Sequence, residues 1–206
     1  CHENCECYVR GAELSHNYWH GVADVGISRT HYQNLIVRDN RMKGLFFMGA
    51  MHSVTDSEVS GSPINVAVHG PDLAAYPRLE AYPLRIGVAH FRNVVVRSRG
   101  DEIGVQVAAR GSAMLEHCLL TGGKVAVQVE TGTQAYVVNS VLASATQAAV
   151  LACGSYAADY NLYYPGRFTL SDKTYTPADF AAYQQVSGND AHSLLEEPRF
   201  IGDSTW

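Results

Sequence analysis

Seven positions, Ala12, Asn34, Ser57, Asn93, His117, Asn139 and Asn161, recur at separations of 22, 23, 36, 24, 22 and 22 residues, and four of them are asparagine. Around four of them an apolar residue stands two before and another two after, as in Phe91-Arg92-Asn93-Val94-Val95, Val137-Val138-Asn139-Ser140-Val141 and Tyr32-Gln33-Asn34-Leu35-Ile36. A unit of roughly 22 residues is too small to bury its own apolar face, so each unit must stack on its neighbours.

A second column runs in step with the first: Gly26-Ile27, Gly44-Leu45, Asn65-Val66, Gly104-Val105, Ala126-Val127 and Ala149-Val150. The segments Ile103-Gly104-Val105-Gln106-Val107 and Val125-Ala126-Val127-Gln128-Val129 read as strands with one face buried. Turn-rich pieces such as Ser98-Arg99-Gly100-Asp101 and Thr121-Gly122-Gly123-Lys124 separate the columns. Strands this short and this closely spaced leave no room for crossover helices. The chain must coil, with each strand pairing in parallel with its counterpart one turn on, in about seven coils. Asparagine suits one bend of such a coil: it tolerates left-handed backbone, and its amide can hydrogen-bond up and down a ladder.

These repeats resemble the right-handed parallel β-helix repeats of the pectin-lyase-like superfamily, where an asparagine commonly marks the bend between the second and third strands of each coil. The resemblance covers roughly residues 8 to 165. Asp159-Tyr160-Asn161-Leu162-Tyr163-Tyr164 and Gly188-Asn189-Asp190-Ala191-His192-Ser193 look like the end segments of many secreted β-helix proteins from polysaccharide-degrading bacteria. It implies an all-β solenoid over residues 1–165 with a cap segment over 166–206. It also implies a secreted or extracellular location, a periplasmic one being possible, and a polysaccharide lyase or glycoside hydrolase acting on an acidic polysaccharide. A non-catalytic module for carbohydrate binding or extracellular structure is the alternative, because fold does not fix function.

Composition bounds the rest. The chain has 206 residues, 47% hydrophobic and 17% charged, enough for one sizeable core and without the signature of disorder. A net charge of -5 without a basic stripe argues against nucleic acid as a partner. No run of 18 apolar residues is available to span a membrane. The chain opens Cys1-His2-Glu3-Asn4-Cys5-Glu6-Cys7 and enters the repeat almost at once, so further N-terminal coils or a domain of a parent protein are expected to cover the uncovered end. The Cys1, Cys5 and Cys7 spacing matches no standard zinc pattern, and a disulfide within that cluster is the alternative; Cys118 and Cys153 are expected to stay unpaired.

A cap is legible at the other end. Thr176 serves as N-cap, Pro177 takes the first helical position, Asp179 lies in the first turn, and Gly188 ends the helix, with Phe180 and Tyr183 on one face. Pro198-Arg199-Phe200-Ile201 is expected to run alongside as an extended piece. One step of the repeat is long by about 13 residues, and the surplus falls in a loop over 70–83 whose Tyr76 and Tyr82 are suited to stacking on a sugar ring.

The resemblance places an active site on the outer face of the first strand of each coil and on the loops leading into it. The outward floor is then Ser28, Phe46, Ala67, Gln106, Gln128 and Leu151, with Thr30, Met48, His69, Ala108, Glu130 and Cys153 beside it. Glu130 is the one carboxylate there, too few for a calcium-dependent lyase; no cofactor is expected, calcium being the open alternative. The leading loops are richer. General acid and base work needs two titratable groups in differing environments, which His20 with Asp24, or Asp39 with Asp101, could supply, with His16 nearby. Trp19, Arg38 and Arg97 are candidates for holding an acidic sugar. A further outward patch holds His31, Gln33, Asp56, His90, Arg92 and Glu116; Asp56, Arg92 and Glu116 read as salt-bridged surface, and His31 and His90, two coils apart, stand too far apart for one metal.

Overall fold

A computed structural model describes residues 6–26, 29–49, 51–71, 87–143 and 148–199. The chain winds as an all-parallel β-solenoid of about six turns. Its first rung is β1 (Glu6–Arg10), β2 (Glu13–Ser15) and β3 (His20–Val25), and its second β4 (Arg29–Gln33), β5 (Ile36–Arg38) and β6 (Lys43–Met48). In the next two rungs the first two strands run together, as β7 (Met51–Ser60) before β8 (Ile64–His69) and β9 (Gly87–Ser98) before β10 (Ile103–Ala108). Then follow β11 (Gly111–Glu116), β12 (Leu119–Gly122) and β13 (Val125–Val129), and β14 (Gln134–Val138), β15 (Val141–Ala143) and β16 (Ala148–Ala152). The last rung is β17 (Ser155–Asp159), β18 (Leu162–Tyr163) and β19 (Phe168–Leu170), so coiling continues past residue 165; β20 (Lys173–Tyr175) folds back antiparallel on β19. The seven rungs are the seven repeats, and the steps between them make about six turns.

Two sheets result. One joins β3, β6, β8, β10, β13, β16 and β19, and the other joins the remaining strands of each rung. Between them the apolar positions form files one rung apart, roughly 4.8 Å. Leu45, Val66, Val105, Val127, Val150 and Phe168 make one file, and Phe47, Val68, Val107 and Val129 another, each at most 1% exposed. Each such side chain contributes roughly 1.5–3 kcal/mol by leaving water, which a single rung could not arrange alone.

The bend column needs one adjustment. The left-handed residues are Gly11, Asn34, Asp56, Asn93, His117, Asn139 and Tyr160, with φ between 50 and 64°. Ala12, Ser57 and Asn161 therefore stand one place past the bend. Asn34, Asn93 and Asn139 are valued for backbone: a left-handed conformation costs most residues roughly 1–2 kcal/mol, and asparagine less. The stacking hydrogen bonds run through the next column, where Leu35 N–H donates to Ser57 Oγ at 3.0 Å and Cys118 N–H to Ser140 Oγ at 3.0 Å. Ser140 N–H then donates to Asn161 Oδ1 at 2.9 Å, and Asn161 N–H to Ser193 Oγ at 2.8 Å. A second ladder lies at the bend leading into β6 and β8: Asn17 Nδ2 donates to Asn40 Oδ1 at 2.8 Å, Asn40 N–H to Ser62 Oγ at 3.3 Å, and Ser62 N–H to Asn65 Oδ1 at 3.0 Å. These side chains satisfy backbone groups that the bends take out of the sheet.

The C-terminal cap forms as the sequence indicates. A 3-10 turn, Pro177–Asp179, leads into α1 (Phe180–Ser187), and Gly188 ends it at φ 69°. Thr176 Oγ1 donates to Asp179 Oδ2 at 2.7 Å. Tyr183 stacks on Phe168 with ring centroids 4.3 Å apart, which seals the core. Beyond the helix, β21 (Leu194–Leu195) pairs in parallel with β18. That strand precedes the expected extended piece, of which Pro198 and Arg199 lie outside any strand and Phe200 and Ile201 outside the described residues. Cys7 is disulfide-bonded, whereas Cys118 and Cys153 are free. No helix among the described residues is long and apolar enough to cross a membrane.

Candidate functional site

The outward face of the β3–β6–β8–β10–β13 sheet carries the file Ala23, Phe46, Ala67, Gln106 and Gln128. From Phe46 onward this is the expected floor. Its first member is Ala23 rather than Ser28, because Gly21-Val22, and not Gly26-Ile27, aligns with Gly44-Leu45. Thr30 belongs to β4 of the other sheet for the same reason. Glycine is required at the column's start: a Cβ on Gly44 would meet the Asn65 carbonyl oxygen at 2.5 Å and Val59 Cγ1 at 2.6 Å.

Lys43 begins β6 and extends its ammonium over the Phe46 ring, 4.0 Å from the centroid. The His20 ring lies 5.2 Å from Phe46 on one side and the His69 ring 5.1 Å on the other. Farther along the axis, Gln106 Nε2 donates to Glu130 Oε1 at 3.1 Å. A cation, an aromatic face, two imidazoles, amides and one carboxylate thus gather over five rungs.

The electrostatics are those of a partly dried surface. Burial lowers the Lys43 pKa, against the pull of the Glu130 charge. Burial first, and then the Lys43 charge, push His69 down to about 4, with a Gln106 hydrogen bond acting the other way. His20 is lowered by burial and by Lys43. Both histidines are therefore neutral at physiological pH. Nδ1 of His20 and Nε2 of His69 are buried and have no hydrogen-bond partner among the described residues.

The other expected site residues divide. His20 and Asp24 both lie within β3, not in a loop before it, and they do not meet. Asp24 turns into the core end, where Tyr32 O–H donates to Asp24 Oδ2 at 2.8 Å and His52 Nδ1 lies 3.3 Å from that oxygen. Asp39 is brought to His16, whose Nε2 is 3.9 Å from Asp39 Oδ2, and to Arg99, whose Nη1 is 3.9 Å from Oδ1. Asp101 is exposed in the turn before β10, and Arg99 of that turn, rather than Asp101, reaches Asp39. Arg38 pairs with Glu13, and Arg97 Nε with Glu58 Oε1 at 3.1 Å, so both arginines are engaged at the surface. Trp19 is 62% exposed and stands edge-on to Tyr18. The surplus chain of the long repeat lies between β8 and β9, and Tyr76 and Tyr82 fall outside the described residues.

Reading the sequence missed the reach of Lys43. The signal was present: a lysine at the strand start, three residues before an outward phenylalanine, can lay its stem along the sheet. No group of three or more His, Cys, Asp or Glu side chains able to hold a metal ion is found among the described residues. No protein-family profile, curated protein or solved structure matches this chain.

Proposed function

We propose that the outward face of the β3–β13 sheet binds an acidic polysaccharide, in a secreted carbohydrate-active β-helix protein of the pectin-lyase-like kind. The observation that carries this reading is the Lys43 ammonium held over Phe46 between two neutral histidines. Phe46 holds the Lys43 ammonium in place, a uronate carboxylate can pair with that ammonium, and the sugar hydroxyls can engage Gln106 and Glu130. A flat sheet with a 4.8 Å repeat also suits an extended chain that presents like groups along its length.

If the face is catalytic, its groups fit a lyase better than a glycoside hydrolase. Glycosidases use two carboxyls across the scissile bond, and Glu130 stands alone on this face among the described residues. Elimination beside a uronate carboxylate breaks a carbon–hydrogen and a carbon–oxygen bond: Lys43 is the cation that neutralises the carboxylate, and His69, sheltered here, would turn outward to take the carbon-bound proton while water protonates the departing oxygen. The second reading, a non-catalytic binding module, rests on the same residues and on the scarcity of carboxylates.

The test is retention on polygalacturonate and alginate, with dextran as neutral control, while following absorbance from unsaturated products. Retention on the acidic polymers that Lys43→Ala and Phe46→Ala each weaken at least about tenfold supports the binding face. Equal retention by wild type and both variants, or none by wild type, overturns it. Product absorbance lost in His69→Ala separates the lyase from the binding module.

A further inference from the structure

On the other sheet, β1, β4, β7 and β9 place Tyr8, His31, Ser53 and His90 in register as consecutive outward side chains. Ser53 Oγ lies 2.6 Å from His31 Nδ1, and His31 Nε2 lies 2.9 Å from Glu6 Oε1. A carboxylate only accepts, so Nε2 carries the hydrogen; the Nδ1 lone pair then faces the hydroxyl, and Ser53 O–H donates to it. Tyr8 stacks on the imidazole at 4.8 Å and 20° between planes, fixing the ring from a third side. Two serines at the bends of this sheet differ. Ser57 and Ser140 donate to backbone carbonyls two residues back, at 2.7 and 2.8 Å, and are buried ladder members. The Ser53 hydroxyl is instead held by a base whose far nitrogen is held by a carboxylate, the arrangement that activates a serine nucleophile.

We infer that Ser53, His31 and Glu6 form a hydrolytic site for short acyl esters. Ser53 Oγ bonds to the acyl carbon while its proton passes to His31 Nδ1, and the Glu6 carboxylate stabilises the imidazolium through Nε2–H. The carbon–oxygen bond to the alcohol then breaks, and His31 returns the proton to the departing oxygen. Water attacks the acyl-serine, giving its proton to His31; the serine–acyl bond breaks and Ser53 Oγ is reprotonated, so that one ester and one water yield an alcohol and a carboxylic acid. His90, one rung beyond Ser53, turns Nε2 towards Glu116 Oε2 at 3.4 Å and so stands beside the site without supplying a donor to the developing oxyanion. The face is open, flanked by Tyr8 at 60% and Met51 at 42% exposure, which suits a small acyl group on a bulky alcohol rather than a long acyl chain. The site lies on a different sheet from the Lys43 cluster and does not depend on it.

The experiment treats the whole chain with a fluorophosphonate probe and, separately, with p-nitrophenyl acetate. Labelling at Ser53 located by peptide mass spectrometry, abolished in Ser53→Ala, is expected. Ester turnover should fall about 100-fold or more in Ser53→Ala and His31→Gln, and about tenfold or more in Glu6→Gln, with Ser112→Ala as an unaffected outward control. Circular dichroism checks that each variant remains folded. Absence of labelling at Ser53, or turnover in Ser53→Ala equal to wild type, overturns the proposal, and neither result bears on polysaccharide retention.

Discussion

Asp24 stands in the same inward file as Phe47, Val68, Val107 and Val129, a carboxylate where the next rungs place apolar side chains. Burial alone would raise its pKa, but contact with His52 and the hydroxyls of Thr30 and Tyr32 outweigh burial and hold it at about 2. His52 is itself fixed, stacked on Phe47 with Nε2 3.0 Å from the Gly49 carbonyl oxygen. A carboxyl held at about 2, against 3.8 in the unfolded chain, adds roughly 2 kcal/mol of stability that is present above pH 4 and lost as pH falls through 2. His69 works in the same direction at higher pH. Held at about 4 against 6.5, it favours the folded state above pH 6.5, and that contribution fades as pH falls towards 4. Urea unfolding between pH 7 and pH 2 should therefore show stability falling in two stages. Asp24→Asn should remove the lower stage and His69→Gln the upper; an unchanged profile in either variant contradicts these assignments.

Among the elements, the cap concentrates the most polar chemistry in the least exposed place. Asp190 is fully buried, and its carboxyl accepts from Tyr163 O–H at 2.9 Å, Tyr183 O–H at 2.6 Å and Ser193 O–H at 2.6 Å. Burial comes first among the causes that push the Tyr163 and Tyr183 hydroxyls well above their ordinary range, with the Asp190 charge adding to it, so both remain donors. Asp190 thus ties α1, β18 and the segment leading into β21 to one side chain. Tyr183→Phe keeps the stacking on Phe168 but leaves Asp190 one donor short, and should cost about 1–3 kcal/mol in urea unfolding. Tyr183→Ala also opens a cavity against Phe168 and should cost about 3–5 kcal/mol. A Tyr183→Phe variant as stable as wild type would show that the carboxyl is not held through this hydroxyl. The helix itself was legible from Thr176, Pro177 and Gly188, because capping is local chemistry. β21 was not: two residues carry no period, and its position follows from the pairing of Leu194 with Leu162.

At the scale of the whole molecule, periodicity alone dictated the coil. The parallel stacking, the apolar files and most of the outward floor follow from spacing and alternation, because a 22-residue unit has no other way to bury its strands. Register within the coil was less legible. Taking Ser57 for the bend in place of Asp56 shifts β7 by one residue against β4, and in a strand a shift of one exchanges faces. That register sets His31 opposite Val54 and turns Ser53 into the core. The left-handed bend at Asp56 restores the pairing and brings Glu6, His31, Ser53 and His90 onto one surface. The Lys43 cluster was hidden differently: side-chain reach, unlike register, leaves no trace in spacing. The central claim, that the left-handed column sets the register and hence both outward surfaces, is open to nuclear Overhauser measurement on the labelled chain. Cross-peaks from the Ser53 β protons to the ring protons of both His31 and His90 are predicted, whereas cross-peaks joining the His31 ring to the Val54 methyls in their place would contradict it.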